Sequence, residues 1–159
     1  MSLEKENFLR TKLITLLQRL DPATPSRWGK MSVQQMIEHY GGDAVRNANG
    51  RLKIETIITP PEQLDRMREF MMSEKPFKEN TKNPLMGEEP APLRYKTVQG
   101  AIGALQQELI YFFEAYEKNP AMIIRNPFFG DLNFEQNVQL LYKHALHHLR
   151  QFGVEPVAV

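Results

Sequence analysis

Apolar side chains recur every three or four residues in four long stretches of this chain, and each stretch stops at a proline or a turn-forming residue. That spacing lines the apolar groups along one side of a 3.6-residue helix, which must bury its stripe against a neighbour. The first stretch, Glu4 to Leu20, carries Phe8, Leu9, Leu13, Leu16, Leu17 and Leu20, and Pro22 and Pro25 end it. The second opens at Ser32 with Gln35 three residues on, the pattern of a capping box, and runs to about Asn47, where Asn47-Ala48-Asn49-Gly50 makes a stop. The third, Thr97 to Asn119, buries Ile102, Leu105, Leu109, Phe112, Phe113 and Tyr116, and Pro120 follows it. The last begins at Asn133 with Gln136 and reaches Phe152 before Gly153. A shorter helical pattern covers Glu62 to Ser73 through Leu64, Met67, Phe70 and Met71.

These periods predict an all-α fold, an antiparallel four-helix bundle with an additional short helix, spanning residues 1–159 as one domain. Between Glu74 and Leu93 four prolines and few apolar residues predict a long surface connection, of the kind that crosses a bundle or covers a site. Leu52 to Thr59 alternates only partly and reads as a short extended segment. Arg125 to Leu132 reads as a turn-rich loop whose two phenylalanines plug a bundle end.

Charge and composition narrow the partners. The net charge is +1, so no single-sign field advertises nucleic acid or an anionic membrane. Arg46, Arg51 and Lys53 cluster locally without forming a phosphate-binding tract. Cysteine is absent, which removes disulfides, thiolate ligands and a cysteine nucleophile together. No run approaches the roughly 20 apolar residues that cross a bilayer, and the N-terminal residues lack a secretory pattern, so a soluble cytoplasmic protein is expected.

The chemistry concentrates in the histidines. All four lie in two helical segments: His39 in one, and His144, His147 and His148 in the other. Side chains four apart on a helix stand one above the other and can converge on one ion, and neutral imidazole is the commonest nitrogen ligand for divalent transition metals. On a helical wheel Phe134, Val138, Leu141, Ala145, Leu149 and Phe152 form the buried stripe. His148 borders that stripe, with His144 about 40° further out and His147 about 60° beyond His144. His144 and His148 are therefore the inward pair, and His147 is an exposed or supporting residue. Gln151 lies between them in azimuth, placed to hydrogen-bond a ligand ring or a water. His39 sits on the flank of the second helix near Met36 and Asp43; it offers a third ligand, although spacing alone does not require it. Asp43, one turn on, is placed to orient that imidazole or to act as a carboxylate ligand.

At these residues the chain resembles the DinB/YfiT-like superfamily. Trp28-Gly29-Lys30-Met31-Ser32 leading to Met36 and His39 is similar to that family's approach to its second helix. Asn126-Pro127-Phe128-Phe129-Gly130, Tyr142-Lys143-His144 and His147-His148-Leu149-Arg150-Gln151-Phe152 resemble the final helix of a branch of unassigned function. The helix order matches across nearly the whole chain, while Leu52 to Lys96 carries no matching motif. The resemblance implies a four-helix core, a divalent metal (zinc or nickel) held by His39, His144 and His148, and a homodimer. Relatives in this branch often carry histidine where Asn126 stands, so a further ligand from that loop is not expected here.

Three neutral imidazoles leave an ion its full charge and an open position. Two chemistries follow for an electrophilic small-molecule substrate: hydrolysis by metal-activated water, or transfer using a low-molecular-weight thiol held as thiolate. Hydrolysis needs a base, for which Asp43 is the first candidate and Glu38 the second. Tyr40 and Tyr142 could stabilise an oxyanion but read more strongly as core or rim aromatics, Trp28 as end packing, and the methionines as core filler. The contrasting reading is a non-catalytic helical interaction module with a structural or vestigial histidine cluster.

Overall fold

The computed structural model describes residues 3–79, 85, 87 and 89–155; part of the expected 74–93 connection therefore lies outside the described residues. Five helices pack together with one small hairpin. Helix α1 joins Leu3–Asn7, a π-helical turn Phe8–Lys12, and Leu13–Arg19. Helix α2 joins Val33–His39, a second π-helical turn Tyr40–Val45, and Arg46–Ala48. Pro61–Met72 is α3, Val98–Lys118 is α4 and Phe134–Gln151 is α5. No described helix is long and apolar enough to cross a membrane.

The helix boundaries follow from the caps. Ser32 and Asn133 each accept from the backbone N–H three residues on, and Gln35 and Gln136 reach back to the capping residue's own N–H. Both boxes thus satisfy donors that a helix start leaves without partners. Thr97 caps α4 through Gly100 N–H. Gly50, at φ +85°, turns the chain out of α2 in a conformation that a side chain would strain.

The main core draws on all four long helices. Leu9, Leu13 and Leu17 of α1 meet Val33 and Ile37 of α2, Leu105 and Phe112 of α4, and Val138, Leu141 and Leu149 of α5. Helix α3 does not join this cluster. Its Met71 instead packs with Phe129, Leu132 and Leu140 in a separate patch against α5. The two loop aromatics thus sit under α3, Phe129 buried and Phe128 partly so, rather than plugging the bundle end.

One further expectation needs correction. Arg125 to Leu132 is a hairpin, with β1 (Ile124–Asn126) and β2 (Gly130–Leu132) antiparallel and Asn126 opposite Gly130. The turn is built by Asn126 Oδ1, which accepts from the N–H groups of Phe128 and Phe129 at 2.8 and 3.0 Å, and by Gly130 at φ +80°. The segment before α3 forms no strand; it is strapped to this hairpin by Ile58 N–H to Pro127 C=O and Thr59 Oγ1 to Phe128 C=O. Its apolar residues were too few to establish an alternating face, so hydrogen bonds from the hairpin position it instead.

Gly41 lets α2 approach α4 closely, and Gly42 makes room for the Arg94 side chain. A Cβ at Gly41 would meet the Leu105 backbone and side chain at 3.3 Å, and one at Gly42 would collide with the Arg94 guanidinium. Both glycines lie in the π-helical turn directly after His39. Such turns are rare and favour functional sites.

Candidate metal centre

Helices α2 and α5 bring His39, His144 and His148 together, with one ring nitrogen of each within 4.8 Å of the others. The capping boxes fix where both helices start, and the apolar stripes fix their rotation about the core. His144 and His148 rings are 4.6 Å apart between centroids, and His39 lies edge-on to both at 5.6 and 5.3 Å. Nε2 of His148 is 2.8 Å from Nε2 of His144.

Neighbouring polar groups decide which nitrogen each ring turns inward. Gln151 Nε2 faces the Trp28 carbonyl at 3.0 Å and must donate to it, since a carbonyl only accepts. That leaves Gln151 Oε1 toward His148 Nδ1, at 2.9 Å, so Nδ1 carries the proton and Nε2 is left with its lone pair. Asp43 Oδ2 lies 3.0 Å from His39 Nδ1 and imposes the same tautomer there. Without a cation, the short contact between Nε2 of His144 and His148 requires a proton on the His144 side, because two lone pairs at that distance repel. A cation can take the place of that proton.

The chemistry of this donor set fits a divalent metal. An ion about 2.0–2.1 Å from each nitrogen holds tetrahedral ligands about 3.3 Å apart. That value lies between the 2.8 Å separating the two Nε2 atoms and the 4.8 Å within which all three ligand atoms fall, a spacing compatible with one shared ion. Burial, helped by the neighbouring histidines, drives His144 well below its ordinary pKa. Burial, with His39 nearby, lowers His148 to about 3. Both rings are therefore held in the neutral form that ligation requires. The hydrogen bond from His39 outweighs burial and holds the Asp43 carboxyl below its ordinary range, so it stays ionised beside the ring it orients.

The remaining sequence candidates take distinct places. Gln151 does meet a ring, as its azimuth suggested. His147 stays outside the cluster, half-buried between Trp28 at 5.4 Å and the edge of Phe77 at 6.4 Å. Trp28 thereby supports α5 twice, through its carbonyl on Gln151 and its ring on His147. Tyr40 is fully committed: its hydroxyl donates to the Leu141 carbonyl at 2.7 Å, and burial pushes its pKa upward. Tyr142 packs edge-on to Phe8 at the rim. Glu38 does not face the histidines. Its carboxylate accepts from the backbone N–H of Arg94 (2.6 Å) and Tyr95 (3.2 Å) and from Gln34 Nε2, which ties the connection before α4 to α2. Asn126 is spent on the hairpin turn and on Asn47.

Sequence reasoning overlooked Lys143. A lysine beside a histidine reads as solvated, yet this one is 5% exposed. Its Nζ donates to the Phe70 carbonyl at 2.7 Å and lies over the rings of Phe70 and Phe77. Burial lowers it to about 8. It fixes the end of α3 against the helix that carries two of the three histidines. The Asp43 link to Arg94 (3.7 Å) was also invisible in the sequence, because it joins residues about fifty positions apart.

No family model matches the chain, and neither the curated proteins nor the solved structures contain a significant match. What the molecule itself establishes is a helical protein with a buried cluster of three histidines that could hold a metal.

Proposed function

We propose that the chain binds one divalent transition metal through His39, His144 and His148 and is a metal-dependent enzyme of the DinB-like type acting on an electrophilic small molecule. The observation that carries this reading is the convergence of imidazole nitrogens from two helices, with outer acceptors on His39 and His148 that fix the inward lone pairs. When bound, such an ion is a Lewis acid that lowers the pKa of water or of a thiol at its open position.

The protein's own residues supply position and environment. His39, His144 and His148 provide neutral donors, which leave the ion's charge uncompensated. Asp43 and Gln151 act as positioning residues, holding two of the rings. The role favoured for Asp43 is this one, because Oδ2 is engaged on His39; a proton-accepting role falls to its Oδ1, near Arg94. The buried ring of Tyr40 packs edge-on against His144 at 5.4 Å and backs the cluster from the core side.

Hydrolysis and thiol-dependent transfer both remain within this proposal, as does the homodimer that the family resemblance implies. Thermal unfolding of the zinc- or nickel-loaded protein with low-molecular-weight thiols, beside turnover assays on esters and amides, separates the two chemistries. Stabilisation by a thiol that requires the metal favours transfer. Ester or amide turnover lost with chelator favours hydrolysis. Neither effect, in protein shown to carry the metal, contradicts the enzymatic reading and leaves a metal-stabilised interaction module.

A further inference from the structure

A cavity of about 250 Å³ opens between α2 and α4, beside the connection that leads into α4. None of the three histidines lines it. Three arginines do, Arg46, Arg51 and Arg94, beside the carboxylates of Glu38, which is spent on backbone N–H groups, and Glu108. Only the first two are neighbours in sequence, so the fold assembles the cluster by adding Arg94. Its floor is open because Gly41 and Gly42 lack side chains and Ala104 has a short one.

The arginines are incompletely satisfied by the protein. Arg46 Nε is buried with no hydrogen-bond partner among the described residues, although it lies 3.9 Å from Glu108. Arg51 Nη1 is 3.4 Å from the same Glu108 oxygen, and Arg94 Nη2 is 3.7 Å from Asp43. These are longer than charge-assisted hydrogen bonds, which run about 2.7–2.9 Å. Glu108 is moreover shared, since its other oxygen accepts from Asn49 Nδ2 at 3.0 Å. A buried guanidinium N–H without an acceptor is costly, and native folds seldom leave one. Arg51 and Arg94 are each nearly half exposed, so their planar forks can close over a guest.

We propose that this cavity between α2 and α4 binds the oxyanion group, phosphate or carboxylate, of a small molecule, with Arg46, Arg51 and Arg94 as its ligands. An oxyanion supplies the acceptor that Arg46 Nε lacks and allows two-pronged contacts from the other arginines. The volume suits a compact anion, below the roughly 300–1,000 Å³ of sites for drug-sized ligands. The inference stands without the metal. Asp43 touches both His39 and Arg94 and so links the two places.

Inorganic phosphate and succinate, titrated separately into the isotopically labelled full chain, test this through the arginine Nε–H signals in NMR spectra, with sodium chloride at matched ionic strength as control. The expected result is a saturable one-to-one shift of the Arg46 Nε–H signal by at least one of the two. Phosphate alone identifies a phosphorylated ligand, and succinate alone a carboxylic acid. Arg51→Gln, a change at a half-exposed side chain, is expected to weaken binding about tenfold or more. Ala104→Leu fills the cavity with all three arginines in place and is expected to abolish the shift. Shifts no larger than those from chloride overturn the proposal, as does binding that survives Arg51→Gln unchanged. Because the signal reports from Arg46, anion capture at a metal held by the histidines is not mistaken for it.

Discussion

Asp43 and Gln151 each spend an oxygen on the outer nitrogen of a histidine, and Trp28 in turn fixes Gln151. The cluster is therefore a chain of oriented groups rather than three rings in contact. Removing an orienting group typically lowers metal affinity about 10–100-fold while leaving the ligands in place. Asp43→Asn is expected to behave so in zinc titrations, with unchanged helical content; an affinity equal to that of the unsubstituted protein would show that the carboxylate orients nothing. Gln151→Leu is expected to act in the same direction through His148. Much of this was legible beforehand. The His144–His148 pair and the azimuth of Gln151 follow from helical geometry, since α5 is regular throughout, and the flanking place of His39 follows from the regular turns Val33–His39 that precede the π-helical one. The Trp28 carbonyl and the Arg94 contact were not legible, because backbone acceptors and long-range pairs leave no period in a sequence.

Among the elements, the four long helices and α3 matched their periods to within a residue or two: side-chain caps start α2, α4 and α5, and Pro61 opens α3. Ser32→Ala removes half of the capping box that starts α2 and is expected to cost about 1 kcal/mol in denaturant unfolding. No change in midpoint would mean that tertiary packing alone fixes that end. The hairpin went unread since it is only three residues deep on each side and rests on turn chemistry. The π-helical turn after His39 went unread because helical period does not distinguish it from an ordinary turn; Gly41-Gly42 was its only trace.

The tether by Glu38 makes an element-level pH prediction. Burial raises its pKa, but hydrogen bonds from Arg94, Gln34 and Tyr95 together outweigh that and hold it below the ordinary carboxylate value. A carboxyl depressed in the fold contributes stability that is present above its unfolded pKa and is lost as pH falls through the folded one. Glu38→Gln is therefore expected to be less stable at pH 7 by about 1–2 kcal/mol, as hydrogen bonds to a charged group are lost. The deficit should shrink as pH falls below about 4.3, where the native residue also takes up a proton. A deficit constant from pH 7 to pH 3 in denaturant titrations contradicts the tether.

For the whole molecule, the histidines join α2 to α5 across the core, so a cation bound there stabilises only the folded state. At a free concentration one hundred times its dissociation constant the gain is about 2.7 kcal/mol. Chelator should thus lower the melting temperature, and zinc or nickel should restore it. The anchors of α3 through Lys143 and of the α4 connection through Glu38 hold further segments to the same two helices. The measurement that bears most directly on all of this is metal content of the untagged protein by mass spectrometry after incubation with zinc or nickel and desalting. One ion per chain is expected, lost in both His144→Ala and His148→Ala while circular dichroism shows the helices intact. A chain that retains no ion, or variants that retain it in full, contradicts the account.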